Sequence, residues 1–235
     1  MKKEVHKYIA QIPVRLGSKR IAKKNIRLLN NKPMVAYSIE ACKKSKLIGK
    51  TIVNSEGEIM KKLCNEYDIS FYDRPKELLN DSIVQDQFNY DFLLNNECEN
   101  MIMVNPVSPL VLSQDIDDAI SYFEKNNLDS LISVREEKYQ SFFKGKPLNF
   151  SDQKLLPMTQ NIDPVLLCAW TVCIWNKRKF IEKYEKDGYA VFVGNYGLYP
   201  FNQIRSLKIS EEFEFQMAET ILKSNNNKIK KKYYE

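Results

Sequence analysis

IPVRLGSKRIAKKN, residues 12–25, opens on an apolar run and breaks at once into a turn carrying Arg15, Gly17, Ser18, Lys19, Arg20, Lys23 and Lys24. A strand ending in such a turn is where an α/β protein meets a polyanion. Several phosphates in a small volume need cations and backbone N–H groups on a loop that can approach closely. Gly17 is expected to permit that turn. Arg15 suits bidentate phosphate contacts, and Lys19 supplies a mobile point charge. The loop is neither a Walker A motif nor a G-x-G-x-x-G dinucleotide loop, because neither spacing is present. Composition alone leaves two readings open, a phosphate loop and a solvated basic turn.

Outward from this loop the chain alternates strand and helix patterns. Residues 8–14, 51–54, 70–73, 101–105 and 130–135 read as strands. Residues 33–44, 58–67, 83–94 and 113–125 read as helices, with Pro33 in a first turn and Ser113 as an N-cap. This alternation predicts an α/β fold with a doubly wound, mostly parallel sheet. Ligands bind beyond the carboxyl ends of such strands, so the loops after Val14, Asn54, Asp73 and Asn105 should meet at one mouth. The pattern changes over residues 139–164, where a G-K-P turn and further prolines predict a β-rich insert. Residues 165–175 form a long β run, 177–184 a helix and 206–209 a last strand. Ser210 then caps a closing helix bearing Phe213, Met217, Ile221 and Leu222. One domain spanning 1–235 accommodates all of this, with a β-rich dimerisation insert at 139–175.

The bulk numbers narrow the class. A hydrophobic share of 43% in 235 residues is enough for a substantial core, and a net charge of +6 suits an anionic small molecule. No compact nucleic-acid fingerprint appears; the basic tail at 228–232 reads as a solvated end. The five cysteines form no C-x-x-C pair and His6 is the single histidine, which argues against a Cys/His zinc site. Free thiols and the lack of an apolar leader predict a cytoplasmic protein with no membrane span.

The order of residues carries more than their composition. Pro13-Val14-Arg15-Leu16-Gly17-Ser18-Lys19, then Lys24-Asn25-Ile26 and KPMVAYSIEAC, resembles the opening of the cytidylyltransferases that activate acidic sugars, the CMP-sialic acid synthetases and their relatives. Asn54-Ser55-Glu56-Gly57-Glu58-Ile59, Arg74-Pro75-Lys76-Glu77-Leu78, Asn105-Pro106-Val107-Ser108-Pro109-Leu110 and the stretch from Thr159 to Val165 are similar to later motifs of that family. The resemblance runs from about residue 8 to residue 222. It implies a Rossmann-like nucleotide-diphospho-sugar transferase fold and transfer of CMP from CTP to an acidic, nonulosonic-type sugar, with release of pyrophosphate, for surface polysaccharide or glycan synthesis. It implies that Arg15, Ser18, Lys19 and Lys24 meet the triphosphate, with Arg15, Lys19 and Lys24 catalytic. It further implies that Asn25 and Arg74 meet the cytidine, and Asn105 and Gln160 the sugar. It implies a homodimer in which the insert completes the neighbour's sugar pocket.

Three features depart from the family's pattern. Where the family carries the two acids of Asp-Ile-Asp that hold Mg²⁺, this chain has Lys208 and Ser210. Glu211 and Glu212 follow and offer a displaced carboxylate; the plainer reading of them is first-turn acids that favour the helix dipole. No arginine lies between Ile162 and Trp175 to meet a sugar carboxylate. Leu16 and Arg20 stand where the family has glycines. Arg74 and Asn105 also have plainer readings, as a surface arginine and a strand-ending turn. Two functions follow, an active cytidylyltransferase and a non-catalytic nucleotide-binding or partner subunit.

Overall fold

The computed structural model describes residues 5–18 and 20–224. Lys19 and the basic tail at 228–232 therefore lie outside the described residues. Seven strands form one sheet: β1 (His6–Pro13), β2 (Lys50–Ser55), β3 (Ser70–Asp73), β4 (Cys98–Val104), β5 (Ser130–Glu137), β6 (Val165–Asn176) and β7 (Tyr196–Pro200). Their order across the sheet is β7-β5-β6-β4-β1-β2-β3. All neighbours are parallel except β6, which runs antiparallel between β4 and β5. The expected α/β, doubly wound and mostly parallel architecture is the one observed.

Five helices cover the sheet, α1 (Met34–Lys44), α2 (Glu58–Glu66), α3 (Gln85–Asn95), α4 (Ser113–Lys125) and α5 (Lys177–Asp187), and α6 (Glu212–Ser224) packs apart from it. The strands alternate side chains between two apolar layers, because successive Cβ atoms point to opposite faces. Tyr8, Ala10 and Ile12 of β1, with Ile102 and Val104 of β4, pack against α1, α2 and α4. Ile9, Met101 and Met103 face the other way, onto Phe92 of α3 and Phe180 of α5. A third cluster joins Ile21, Leu29, Met34, Ile209, Phe215 and Ala218, and anchors α6 beside the loop after β1. Each fully buried aliphatic or aromatic side chain contributes about 1.5–3 kcal/mol.

The helix boundaries follow local chemistry. The Asn176 side chain caps α5 by accepting from the Lys179 N–H at 3.1 Å, and Gly188 ends that helix at φ 79°. The cap of α4 falls one residue before the expected Ser113: Asp115 reaches back to accept from the Leu112 N–H at 2.8 Å. The last strand also differs from expectation. Residues 206–209 make no sheet strand, and β7 lies at Tyr196–Pro200 instead. Two features hide β7 in the sequence. Its Gly197 lies so close to the Leu128 side chain that a Cβ there would meet it at 2.4 Å, and its Pro200 fits an edge strand. Residues 206–209 look strand-like because Leu207 and Ile209 feed the third core cluster.

Within 139–164, only Phe142–Phe143 and Lys146–Pro147 pair, around a turn with Lys144 at φ 50° and Gly145 at φ 78°. The long run from Val165 belongs to the central sheet as β6. It carries a bulge between Cys168 and Cys173, with Trp170 at φ 57°.

Candidate nucleotide site

The chain leaves β1 for β2 on one side, and later returns to form β4 on the other. The carboxyl ends of β1 and β4 therefore make the switch point at which open α/β sheets bind ligands. A cleft of about 390 Å³ opens there, lined by Pro13, Arg15, Ser18, Arg20, Lys24, Asn25, Asn105, Pro106 and Val107. Its described lining holds three cationic side chains and no acidic one. Five of the residues expected at the site, Arg15, Ser18, Lys24, Asn25 and Asn105, come together in it. Arg20 joins them. Its signal in the sequence was adjacency to the loop's other cations, which does not by itself distinguish a lining residue from a solvated one.

Hydrogen bonds within the fold hold the loop in shape. Glu56, at the end of β2, accepts the Leu16 N–H at 2.7 Å, so this amide is spent within the fold. The Ser18 N–H donates to the Leu16 carbonyl at 2.9 Å and tightens the turn. Gly17 does not adopt a positive φ, and a Cβ there would meet nothing within 4 Å. The turn therefore does not depend on glycine's backbone freedom, contrary to expectation; Gly17 leaves open space instead. The left-handed residue is Lys23, at φ 50°. Asn25 is buried, and its Nδ2 donates to the Arg15 carbonyl at 3.1 Å. Its Oδ1 has no partner among the described residues. A buried acceptor left unpaired costs about 1–3 kcal/mol, which a donor on a ligand would offset.

The cations differ in their surroundings. Arg15 forms an ion pair with Asp81. Lys24 is half-buried, and its Nζ donates to the Ile209 carbonyl at 2.8 Å. Burial pushes the Lys24 ammonium below its ordinary pKa, Arg20 and Lys208 push the same way, and Glu214 opposes them. Asn105 turns the chain after β4. Its Oδ1 accepts the Val107 N–H at 3.3 Å and its own N–H donates to the Thr171 carbonyl at 2.9 Å, so the strand-ending-turn reading holds for the oxygen. Its Nδ2 has no partner among the described residues, while the residue lines the cleft.

Arg74 lies outside the cleft lining. It is only 6% exposed, and clamps the end of β2 by donating from Nε to Asn54 Oδ1 at 2.8 Å and from an Nη to the Asn54 carbonyl at 2.7 Å. Its guanidinium stacks 4.9 Å from the Phe88 ring. Burial lowers its pKa to about 10, with Glu56 opposing and Arg15 reinforcing the shift. It is no surface arginine. Gln160 stands on the exposed turn Thr159–Asn161, away from the cleft, where its carbonyl accepts from Lys138 at 3.4 Å.

The residues of the expected metal region have other employment. The Glu212 carboxylate takes both arms of Arg27, at 2.6 and 2.8 Å. Glu214 accepts the Ser210 and Glu211 N–H groups, the latter at 2.8 Å, and so caps α6. The described residues contain no group of three His, Cys, Asp or Glu able to hold a metal ion. The donor set here does not fit a carboxylate-built Mg²⁺ site. The segment around Ile209 is tied to the turn after β4, because the Ile209 N–H donates to the Val107 carbonyl at 2.8 Å.

Comparison with known proteins agrees with this geometry. Residues 9–215 match the family model described as cytidylyltransferase. The chain is 27% identical over 235 residues to an N-acylneuraminate cytidylyltransferase of Escherichia coli, covering 94% of this chain and 53% of that protein. It is also 27% identical to the post-translational flagellin modification protein B of Campylobacter coli, covering 93% of this chain and 96% of that one. It thus spans about half the length of the first relative and nearly all of the second. Among solved structures, a CMP:2-keto-3-deoxy-manno-octonic acid synthetase complexed with CTP superimposes with a TM-score of 0.70. That match covers 93% of this chain and 99% of the other at 10% identity, a likeness of fold. With a family match running through nearly all of the sheet and the cleft at its switch point, the chain belongs to the cytidylyltransferase family.

Proposed function

We propose that this chain transfers CMP from CTP to the hydroxyl of an acidic, nonulosonic-type sugar, releasing pyrophosphate, and that the product serves surface polysaccharide or glycan synthesis. The observation that carries the reading is the cleft at the β1/β4 switch point, whose described lining is cationic and free of acids. Such a lining favours a polyanion and stabilises the charge that builds on departing pyrophosphate. In the step itself the sugar oxygen bonds to the α-phosphorus while the bond to the bridging oxygen breaks. The chain contributes by positioning and by charge. Arg15, Ser18, Lys19, Lys24 and Arg20 hold the phosphates. The unpaired Oδ1 of Asn25 accepts from the nucleoside. Arg74 acts from behind, keeping the ends of β2 and β1 in place. Asn105 offers its Nδ2 to the sugar.

The same reading assigns the segment 139–164 to a homodimer. Tyr139, Phe142, Phe143, Leu155, Leu156 and Met158 are all exposed there, an apolar surface suited to a second copy. Gln160, which does not line its own cleft, would reach the partner's sugar. The five free cysteines, four of them buried, fit a reducing cytoplasm. The resembling family uses Mg²⁺, whereas the side chains around Ile209 do not assemble a site for it, so no step is assigned to the metal. The same substitution favours the second reading, a nucleotide-binding partner subunit without turnover.

The deciding assay follows pyrophosphate release and CMP-sugar formation from CTP across a panel of nonulosonic acids, with and without Mg²⁺. Turnover with one member supports the enzyme. CTP binding with no turnover on any member selects the partner subunit.

A further inference from the structure

Among the described residues, the charges that line the cleft are all positive. Arg15, Arg20 and Lys24 come from the loop after β1. A second wall, at 206–214, adjoins the cleft without lining it: the Ile209 carbonyl accepts from Lys24 Nζ, and Lys208, the preceding residue, is exposed and acts on Lys24 as a like charge. The acids of that wall are committed elsewhere. Glu212 is locked bidentately to Arg27, and Glu214 spends Oε2 on two backbone N–H groups. Glu211 alone remains, exposed. A divalent cation that prefers carboxylate oxygen and near-octahedral geometry meets no such set here. Lys208 has no acidic partner among the described residues, and a compact ammonium on a flexible stem can follow a phosphate oxygen.

We propose that Lys208, together with Lys24 and Arg20, occupies the electrostatic place of a divalent cation, so that this chain takes its nucleoside triphosphate as the metal-free anion. The inference rests on the nucleotide reading above and deepens it. Lys208 is a binding and positioning residue in this account. It neutralises the β- and γ-phosphates and supplies no proton to the reaction.

The test is calorimetric titration of the full chain with CTP, once in EDTA and once in excess Mg²⁺. Metal-free CTP is expected to bind at least as tightly as the magnesium complex, which carries less charge. Lys208→Met should weaken metal-free binding by roughly ten-fold or more, the loss typical of a charge-assisted contact, and affect the magnesium complex less. Lys208→Asp should weaken metal-free binding further and recover on adding Mg²⁺. A thermal melt of each variant checks the fold, with Lys208→Gln as the second neutral variant. Binding by the wild type only in Mg²⁺ overturns the inference and leaves the nucleotide reading intact, as does metal-free affinity that neither neutral variant changes. No heat with CTP in either buffer removes the nucleotide reading, and this inference with it.

Discussion

The loop after β1, which lines the cleft, and the segment at 206–214, which adjoins it, are two walls built by different means. The wall after β1 is one continuous loop whose cations are sequence neighbours and whose shape is held by Glu56 and Asn25. The wall at 206–214 is assembled from a distance. Ile209 is tied to Val107, Lys24 reaches across to Ile209, and Arg27 takes the carboxylate of Glu212. The first wall has its cations in the cleft lining. The second has turned most of its acids to structural work. Similarity along the chain therefore does not guarantee that each part of a region keeps its chemistry: one loop keeps its cations in a cleft, while acids nearby serve as a helix cap and in an ion pair.

This contrast can be broken in order of expected effect. Arg15→Ala and Lys24→Ala, on the first wall, should each reduce CTP affinity about ten- to a hundred-fold by titration, the range for a lost hydrogen bond to a charged group. An unchanged affinity in both would return the loop to the solvated-turn reading. Arg74→Ala should act chiefly on the fold. It removes two buried hydrogen bonds and strands Asn54 Oδ1, so urea unfolding is expected to show a loss of about 1–3 kcal/mol. Arg74→Lys should recover only part of it, because an ammonium cannot reproduce the guanidinium's planar fork.

Legibility followed the same division. The α/β class, the helices and the strands β1 to β6 were readable because their periodicities are local, and the cationic loop was readable because its residues are consecutive. Strand β7 was not, since its glycine answers to the distant Leu128. The burial of Arg74, which removes the surface-arginine alternative, was not readable either, since it depends on Phe88 and Asn54, neither adjacent to it in the chain.

Two smaller effects sharpen the contrast. The depressed pKa of Lys24 sets a sign for pH. Only its protonated form attracts phosphate, so CTP affinity should fall as pH rises through a value below the ordinary lysine range. Lys24→Arg should flatten that fall in titrations over an alkaline series, since a guanidinium stays charged. Among its charged neighbours, Arg20 and Lys208 favour the shift and Glu214 opposes it. Glu214→Ala, on the second wall, should cost about 0.5–2 kcal/mol in a thermal or urea transition by uncapping α6. It should weaken CTP binding less than Lys24→Ala does. A larger binding loss for Glu214→Ala would mean that its carboxylate serves the ligand after all.

By itself the sequence determined the alternation that makes a parallel sheet, the cluster of cations after the first strand, and the absence of aspartates at positions 208 and 210. These are properties of residue type and spacing. The tertiary structure alone decided which of these residues share a cleft, that Arg74 clamps rather than lines it, that Glu212 and Glu214 are already engaged, and that Gln160 stands apart. Each depends on contacts between residues far apart in the chain, and no local pattern encodes whether a charged side chain will meet a ligand or another part of its own fold.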